Sequence, residues 1–378
     1  MTVLTINTGS SSVRLAAYAT DGAELRACGA ERHDLDAGTP GELLAAFVKK
    51  HLPARPQLVA HRVVHGGARL TSACRIDAGV EAEIGRIAPL APLHNPVALA
   101  WMKACREALG AEVPQVAVFD TAFYAQLPEV AATYALPHEL SARHEVRRYG
   151  FHGLAHQALW LRWRALHQDS VGPDIGRPDI ADGGRVISFQ LGAGCSVTAI
   201  DRGRPLDTSM GFSPLEGLVM ATRCGDLDAG AVTFLQRAEG LSAADMERLL
   251  NENSGLRGVS GISADMRMLL AADDPRARLA VQLYCYRARK YLGAYLAVLG
   301  GADAILFGGG VGENAAAVRA AILGDLDWAG IRLDDAANAA AVGREGRISK
   351  TDSRIEAWVM PVDESRILAQ EALAVMTT

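Results

Sequence analysis

Four side chains that can bind or orient anions lie beside predicted strands or glycines. They are Arg62, Asp120, His152 and Arg223. The planar guanidinium fork of arginine pairs well with carboxylate and phosphate, and an imidazole donates hydrogen bonds to the same groups. Asp120 directly follows a predicted strand, at the edge where open α/β sheets gather their ligands. These residue types favour chemistry on an anionic substrate.

Three of these residues also have structural interpretations. Arg62 can be a capped structural arginine in its buried strand, and Asp120 can cap a helix or close an Asx turn. Arg223 precedes Asp226 and follows Glu216, so it can form a surface ion pair or an anion clamp guarded by carboxylates. The residues alone leave these alternatives open.

Three polar, glycine-containing turns are candidates for phosphate binding, because their backbone N–H groups can cradle an anion. They lie at 7–12 (Asn-Thr-Gly-Ser-Ser-Ser), 190–196 and 308–314. The third follows a predicted strand, precedes a helix predicted from about Asn314, and matches the dinucleotide form Gly-x-Gly-x-x-Ala, a weak signal by itself. Plain turns without a ligand have the same composition. No Gly-Lys dipeptide occurs, which excludes a Walker-A loop.

The histidines do not predict a metal site. His61 and His65 are four residues apart in a predicted strand, a span of roughly 13 Å that is too long for one shared ion. His152 and His156 can share a helix face, but no third ligand accompanies them.

The elements around these residues alternate between strand and helix. Helices are predicted at 42–51, 96–109, 155–166 and 277–299, and strands at 3–6, 13–18, 58–64, 115–119, 186–189, 197–200 and 304–307. The polar Arg164–Arg185 segment is predicted to be a surface loop. This alternation favours an α/β fold with a parallel or mixed sheet. The strand–turn–strand of residues 3–18 recurs at 186–200, which indicates one unit used in two similar halves.

The composition bounds the function. A chain of 378 residues predicts about two domains, and its net charge of −5 does not favour nucleic acid or an acidic membrane as partner. No segment is typical of a signal peptide or a bilayer span. Six cysteines without Cys-x-x-Cys spacing are typical of reduced thiols in a cytoplasmic protein.

Taken in order, the motifs resemble those of the acetate kinase family, which belongs to the acetate and sugar kinase, Hsp70 and actin superfamily. The resemblance runs from Val3 to about Glu371. Its landmarks are 7–12, 61–67 (His-Arg-Val-Val-His-Gly-Gly), 92–96 (Pro-Leu-His-Asn-Pro), 119–123 (Phe-Asp-Thr-Ala-Phe), 149–153 (Tyr-Gly-Phe-His-Gly), 210–217 (Met-Gly-Phe-Ser-Pro-Leu-Glu-Gly), 222–226 (Thr-Arg-Cys-Gly-Asp) and 310–314 (Gly-Val-Gly-Glu-Asn).

The resemblance implies an α/β fold of two ribonuclease-H-like domains, as in actin-like ATPases, with mixed sheets flanked by helices and an active site in the interdomain cleft. The domains are expected at 1–121 with 366–378, and at 122–365, the second binding nucleotide and forming a homodimer. The implied reaction is the reversible, Mg²⁺-dependent transfer of the ATP γ-phosphoryl group to acetate, giving acetyl phosphate and ADP by in-line displacement. Mn²⁺ is the expected substitute for Mg²⁺.

The resemblance also implies a role for individual residues. Asn7 and Glu364 position the metal ion, and Arg62 and Arg223 clamp the acid and the transferring phosphoryl group. Asp120 holds metal-bound water or orients the nucleophile, and His152 donates to phosphoryl oxygens. The implied pocket walls are Val64, Leu93, Phe151 and Pro214. The implied ATP contacts are Ser10, Ser12, Gln190, Gly192, Ala193, Gly194, Asp265, Met266, Arg267, Gly310, Val311 and Asn314.

Two departures from the family pattern concern ATP. The second phosphate turn usually reads His-Leu-Gly-Asn-Gly, whereas this chain has Gln190 and Ala193 in place of the histidine and asparagine. Met266 stands where an aromatic residue commonly covers the adenine ring. Three alternatives therefore remain: a propionate or butyrate kinase with the same mechanism, a non-catalytic nucleotide-binding sensor, and an NAD-dependent oxidoreductase built on the turn at Gly310.

Overall fold

The computed structural model describes residues 1–9, 12–21, 24–168 and 182–377. Within it the chain forms two compact units. The first consists of Met1–Ala125, Phe151–Leu154 and Asp363–Thr378, and the second of Gln126–Gly150 and Ala155–Val362. Compared with the domain bounds expected from the sequence, the first unit also includes 122–125, 151–154 and 363–365.

The strands of the described chain form two sheets. They are β1 (Thr2–Thr8), β2 (Ser12–Thr20), β3 (Leu25–Asp34), β4 (Leu58–Val63), β5 (Cys74–Arg75), β6 (Gln115–Phe119), β7 (Arg185–Leu191), β8 (Cys195–Asp201), β9 (Arg204–Thr208), β10 (Ala304–Gly308), β11 (Gly346–Arg347) and β12 (Glu356–Val359).

The α-helices of the described chain flank these sheets. They are α1 (Pro40–His51), α2 (Ala78–Arg86), α3 (Asn95–Leu109), α4 (Glu129–Ala132), α5 (His138–His144), α6 (Gly153–Gln168), α7 (Ala229–Glu239), α8 (Ala243–Glu252), α9 (Gly255–Ser260), α10 (Met266–Ala271), α11 (Pro275–Leu299), α12 (Gly309–Asn314), α13 (Ala316–Leu323), α14 (Asp335–Ala340) and α15 (Glu364–Thr377). Single 3₁₀ turns lie at Ala88–Leu90, Asp120–Tyr124 and Asp327–Ala329.

The two mixed sheets share one topology. The first has the order β3-β2-β1-β4-β6-β5 and the second the order β11-β12-β10-β7-β8-β9. In the first sheet β1, β2 and β3 form an antiparallel meander, and β1 also pairs in parallel with β4, which pairs in parallel with β6. In the second sheet β7, β8 and β9 form the meander, and β7 pairs in parallel with β10, which pairs in parallel with β12. The α/β fold with mixed sheets is therefore confirmed, and so is the prediction that one strand–turn–strand unit is used twice.

The first sheet is covered on its two faces by different helices. A hydrophobic core joins Leu4 and Ile6 of β1 to Phe47 of α1 and Trp101 of α3. The helix α15 packs against β1, β4 and β6. Coverage of both faces explains why every residue of β6 is buried and why residues 116–119 form a continuous apolar run.

Two predicted element boundaries are wrong. The segment Arg164–Arg185 is not wholly a loop, because α6 continues to Gln168 and β7 begins at Arg185; residues 169–181 lie outside the described chain. The Gly-rich turn predicted before the helix from about Asn314 is itself the short helix α12, which ends at Asn314, and the predicted helix is α13, which begins at Ala316. Gly309, with a φ of 78°, lets the chain turn directly from β10 into α12.

Two further observations concern the cysteines and the helices. The six cysteines form no disulfide with one another in the described structure. None of the described helices combines the length and the apolar character that crossing a bilayer requires.

Candidate active site

The first unit contains a buried ion pair between the strand β4 and the turn that follows β6. Arg62 in β4 donates from Nη2 to Asp120 Oδ2 at 2.6 Å, and from Nε to both carboxylate oxygens at 3.1 and 3.2 Å. The side chain of Asp120 is only 1% exposed. Burial and the nearby Glu364 carboxylate raise the pKa of Asp120, and its ion pair with Arg62 opposes that shift. The two residues thus form one charged unit.

Asp120 begins the 3₁₀ turn that follows β6, where a segment from elsewhere in the chain meets it. The backbone N–H of His152 donates to the Asp120 carboxylate. A Cβ on Gly153 would lie 2.0 Å from the Asp120 carbonyl oxygen, so only glycine permits this approach. His152 itself has a φ of 57°, an uncommon conformation for a non-glycine residue and one that is found at functional sites.

A second hydrogen-bonded pair connects the first strand to the last helix. Asn7 Nδ2 donates to Glu364 Oε2 at 2.6 Å, and Asn7 Oδ1 accepts from Arg62 Nη1 at 3.2 Å. Glu364 lies in the first turn of α15. Asn7, Glu364, Arg62 and Asp120 therefore form one continuous polar cluster on β1, β4, the end of β6 and α15.

The donor set of this cluster suits a hard cation that keeps several waters. Mg²⁺ is usually bound by one or two carboxylates together with substrate phosphates, and Glu364 and Asn7 offer a carboxylate and an amide oxygen. Among the described residues no group of three or more His, Cys, Asp or Glu side chains is arranged to enclose a metal ion. The cluster fits a metal shared with a phosphorylated substrate and does not fit an all-protein cage.

The first phosphate turn lies at the end of β1. Gly9 N–H donates to the Ser12 carbonyl at 2.8 Å, and Ser12 Oγ accepts from Arg32 Nε at 3.2 Å. Ser10 lies outside the described residues. Arg14, exposed on β2 directly opposite Asn7, is a further cation at this edge that the sequence interpretation does not include. Arg14 follows the apolar Val13 in an alternating strand pattern, so the sequence gives no reason to single it out as a ligand-binding residue.

Of the implied pocket walls in the first unit, two are buried and one is not. Phe151 is 1% exposed and Val64 5%, whereas Leu93 is 57% exposed. The imidazole of His65 meets the Phe151 ring edge-on, with 5.5 Å between ring centroids, and its Nδ1 accepts from Gly67 N–H. His65 thus packs against Phe151, one of the residues implied for the wall.

Two other histidines are neutral structural groups. His61 bonds through Nε2 to Gln115 Oε1 at 2.7 Å, and burial lowers the pKa of His61 to about 4. His156 lies between the hydroxyls of Ser188 and Ser196, each at 2.8 Å, and burial lowers the pKa of His156 to about 3. His152 precedes α6 and does not share a helix face with His156, because the helix begins at Gly153.

In the second unit, Arg223 is a partly buried cation without an acidic partner. Its Nη1 donates to the Pro214 carbonyl at 3.1 Å and lies 3.8 Å from Met220 Sδ. Within the described chain no carboxylate forms an ion pair with it. Burial lowers the pKa of Arg223. A guanidinium held this way keeps most of its N–H groups for an anionic ligand.

The acids near Arg223 in the sequence have other partners. Glu216 accepts from Arg148 Nη2 at 2.6 Å and from the Tyr134 hydroxyl. Asp226 accepts from Tyr291 and Arg287 on α11. The surface ion pair considered from the sequence is therefore not seen, because both acids pair with other residues; the anion clamp stays a prediction. Residues 214–226, which carry Arg223 between the two acids, are called the Arg223 loop below.

The second phosphate turn joins β7 to β8. Gly192 N–H donates to the Gly194 carbonyl at 3.1 Å, and the exposed Ala193 carbonyl accepts from Ala221 N–H at 3.1 Å. Gln190 Oε1, at the end of β7, is buried and has no hydrogen-bond partner in the described chain. The turn is thereby connected to the Arg223 loop through its backbone.

The residues implied for adenosine lie on two short helices. Asp265 caps α10 and pairs with the exposed Arg267 at 2.5 Å, which lowers the pKa of Asp265 to about 2, whereas Met266 is buried. Gly310 in α12 is exposed, and a Cβ there would meet no atom within 4 Å. Val311 is partly buried, and Asn314 Nδ2 donates to the Gly310 carbonyl at 2.9 Å.

The sequence interpretation missed the side chains that hold these segments in place. They are Tyr134, Arg148, Tyr291, Arg287, Asp363 and Tyr18. Each acts across about 60 residues or more, and no local pattern marks such pairs. The first unit supplies a buried ion pair, a carboxylate–amide pair and a glycine turn, and the second unit supplies a guanidinium without a carboxylate partner among the described residues and a further glycine turn. Groups of these types suit phosphoryl transfer between anions.

Comparison with known proteins gives a consistent result. The model of the acetokinase family matches residues 41–370. An acetate kinase of Solibacter usitatus is 48% identical over 319 residues, which are 83% of this chain and 75% of that protein. One of Methanosarcina thermophila is 42% identical over 323 residues, 85% of this chain and 76% of that protein.

Solved structures are similar over the whole chain. The crystal structure of Porphyromonas gingivalis acetate kinase has a TM-score of 0.85 at 36% identity, and covers 99% of each chain. A propionate kinase from Francisella tularensis has a TM-score of 0.86 at 32% identity, with the same coverage.

Proposed function

Because the chain belongs to the acetokinase family, we propose that it transfers the γ-phosphoryl group of ATP to acetate, giving acetyl phosphate and ADP. The observation that carries this proposal is Arg223, whose guanidinium has no carboxylate partner among the described residues. The reaction brings two anions together, and an unpaired guanidinium relieves their repulsion and stabilises charge on the phosphoryl oxygens.

The nucleophile in this proposal needs no strong base. A carboxylate with a reference pKa of about 4 is already ionised at pH 7. Arg62 and Arg223 orient the acid and the phosphoryl group for in-line attack, and His152 donates to the phosphoryl oxygens. Asp120 accepts from Arg62 in the described structure and in this proposal orients the nucleophile or a water beside it.

Glu364 and Asn7 would hold Mg²⁺, or Mn²⁺ in its place, since their oxygens are the ligands that such ions prefer. When bound, the ion supplies positive charge that neutralises the phosphate oxygens. Arg62 keeps the amide of Asn7 oriented by donating to its oxygen at 3.2 Å. Asn7 is in this way positioned from both sides, by Arg62 and by Glu364.

ATP is placed on the glycine turns. In this proposal Gly192 and Gly194 offer backbone N–H groups to the phosphates, Ser10 and Ser12 assist them, and Gly310 admits the adenosine, with Gln190, Ala193, Asp265, Met266, Arg267, Val311 and Asn314 around it. The open space at the Gly310 Cβ position supports this placement. We propose the same two ribonuclease-H-like domains that the resemblance implies, one around each sheet.

The acid is selected by size in this proposal. Val64, Phe151 and Pro214 form apolar walls around its alkyl end, with Leu93 beside them. One methylene group changes the transition-state energy by only about 1–3 kcal/mol. Propionate is therefore expected to be a slower substrate.

A homodimer is part of the proposal. Helices of the second unit expose large apolar side chains, among them Phe234, 62% exposed on α7, and Tyr286, 62% exposed on α11. A second copy of the chain would cover them. Sedimentation of the purified protein should give twice the chain mass of 40.0 kDa, and Phe234→Glu or Tyr286→Glu should shift it towards the monomer.

Trapping of acyl phosphate with hydroxylamine tests the function. Mg-ATP is supplied with acetate, propionate or butyrate in parallel, and Arg223→Ala is the control. Product with acetate above the other acids, lost in the variant, is the expected result. A preference for a longer acid would make the chain a propionate or butyrate kinase. ATP binding without product would favour the sensor, and NAD binding without product the oxidoreductase.

A further inference from the structure

The carboxylate of Asp226 connects the Arg223 loop to the long helix α11. Its Oδ1 accepts the N–H of Gly217 at 2.8 Å. The Tyr291 hydroxyl donates to Asp226 Oδ2 at 2.9 Å and to Oδ1 at 3.1 Å, and Arg287 Nη1 pairs with Oδ2 at 3.2 Å. Tyr291 and Arg287 both lie on α11, so the Asp226 carboxylate joins the Arg223 loop to this helix.

The same residue closes the loop on itself. Asp226 N–H donates to the Gly217 carbonyl at 3.0 Å while its carboxylate accepts from Gly217 N–H. Inside this closed segment, Met220 N–H donates to the Arg223 carbonyl at 3.1 Å, and Arg223 Nη1 reaches back to Pro214. The position of the Arg223 guanidinium therefore depends on contacts that begin at Asp226.

The close packing of the loop leaves little freedom once it is anchored. Gly217 and Gly225 have φ values of 103° and 69°. A Cβ on Gly225 would lie 2.5 Å from the carbonyl oxygens of both Gly217 and Leu218. Burial and the Asp226 carboxylate raise the pKa of Tyr291, so its hydroxyl stays protonated and donating.

We propose that Asp226 is a positioning residue for the phosphoryl transfer: it fixes the Arg223 loop to α11 and thereby aims the Arg223 guanidinium. This inference rests on the proposed kinase function. In this inference Asp226 does not bind the substrate, because Gly217, Tyr291 and Arg287 already contact its carboxylate oxygens. It acts on the acid and the phosphoryl group only through Arg223.

The test compares two carboxylates in one segment. Asp226→Ala removes the anchor, Asp226→Asn keeps an oxygen for Gly217, and Asp228→Ala removes the matched carboxylate that only caps α7. Steady-state kinetics of acetyl phosphate formation are measured for acetate and for Mg-ATP, together with hydrogen exchange of amides 217–225.

We expect Asp226→Ala to lower kcat/KM for acetate by about 100-fold, since small displacements of a catalytic group cost that much. The KM for Mg-ATP should change less than about twofold, and amides 217–225 should exchange faster. Asp226→Asn should retain more activity than Asp226→Ala, and Asp228→Ala should match the wild-type protein.

Other results would overturn the inference. Equal kinetics in Asp226→Ala and Asp228→Ala would show that the anchor is unnecessary. A KM for Mg-ATP that rises as much as the KM for acetate, in step with a lower unfolding temperature, would show a merely structural residue. If Asp226→Ala does not fold, Tyr291→Phe is tested in its place, and it too should lower kcat/KM for acetate while leaving the KM for Mg-ATP nearly unchanged. A wild-type protein that forms no acyl phosphate would instead overturn the proposed function itself.

Discussion

Arg62 and Asp120 form a bidentate ion pair, with 2.6 Å between Nη2 and Oδ2, although they are 58 residues apart in the sequence. The parallel pairing of β4 with β6 brings them together. Both groups are removed from water, so neither tolerates the loss of the other. A buried charge without its partner costs about 3–5 kcal/mol, whereas replacing both charges with apolar groups is often nearly neutral.

The first prediction concerns the free energy of unfolding. Arg62→Met and Asp120→Leu should each destabilise the protein by about 3–5 kcal/mol, and the double variant should recover most of that loss. Urea unfolding of the four proteins measures both quantities. The exposed pair Lys103–Glu107 on α3 is the control, and its removal should cost much less than removal of either buried charge. Additive losses in the double variant would contradict the prediction.

Arg223 should behave differently from Arg62. Because no described carboxylate depends on it, Arg223→Ala should leave the unfolding temperature nearly unchanged while kcat for acetate falls by about 100–1,000-fold, the usual effect of removing one donor to a developing charge. Arg257→Ala, an exposed arginine on α9, serves as control. A large fall in stability together with retained kcat would argue against an anion-binding role.

The third prediction is a pH dependence. Burial lowers the pKa of His156 from 6.5 to about 3, so between these values the unfolded chain binds a proton that the native protein does not. His156 therefore contributes stability that is complete above pH 6.5 and is lost as the pH falls towards 3, by up to about 1.4 kcal/mol per pH unit.

His156→Gln should remove that contribution and flatten the slope of unfolding free energy against pH between 6 and 4. The exposed His138→Gln should leave the slope as it is in the wild-type protein. Chemical unfolding in a series of buffers gives the slopes, and parallel curves for all three proteins would refute the prediction.

The second phosphate turn offers a gain-of-function experiment. Ala193 is exposed, so an asparagine fits there and returns the side-chain donor that the family pattern carries. A hydrogen bond to a charged group contributes about 1.5–3 kcal/mol, so Ala193→Asn should lower the KM for Mg-ATP by roughly tenfold or more. Ala193→Ser has a shorter donor side chain, so its KM for Mg-ATP should lie between those of the wild-type protein and Ala193→Asn. An unchanged KM in both variants would show that the phosphates do not contact this side chain.

Local patterns predict much of the framework. The strand predicted at 115–119 has the bounds that the structure shows, because the short apolar run 116–119, with Gln115 before it and Asp120 after it, is typical of a fully buried strand. The recurrence of a strand–turn–strand predicts the shared topology of the two sheets. The four helices between 229 and 271 are not among the predicted elements; each is at most 11 residues long and has at most two buried hydrophobic residues.

The site is less accessible to local reasoning. Asp120 and Arg62 stand out within their own segments, but their direct pairing is a property of strand order. Whether His156 faces a ligand or two serines depends on strands 32 and 40 residues away. Asn7 and Glu364 enter through the family resemblance alone, because nothing near either residue indicates the other.

The hydrogen bond between Asn7 and Glu364 spans 357 residues, and the helix that carries Glu364 packs on the sheet formed by the first strands. During synthesis on the ribosome, β1 therefore emerges long before its helical cover. The first sheet must wait, with the strand face that α15 will bury still open to solvent, while the entire second unit is translated. Nascent chains stalled anywhere before residue 364 should consequently be recognised by chaperones through that uncovered face.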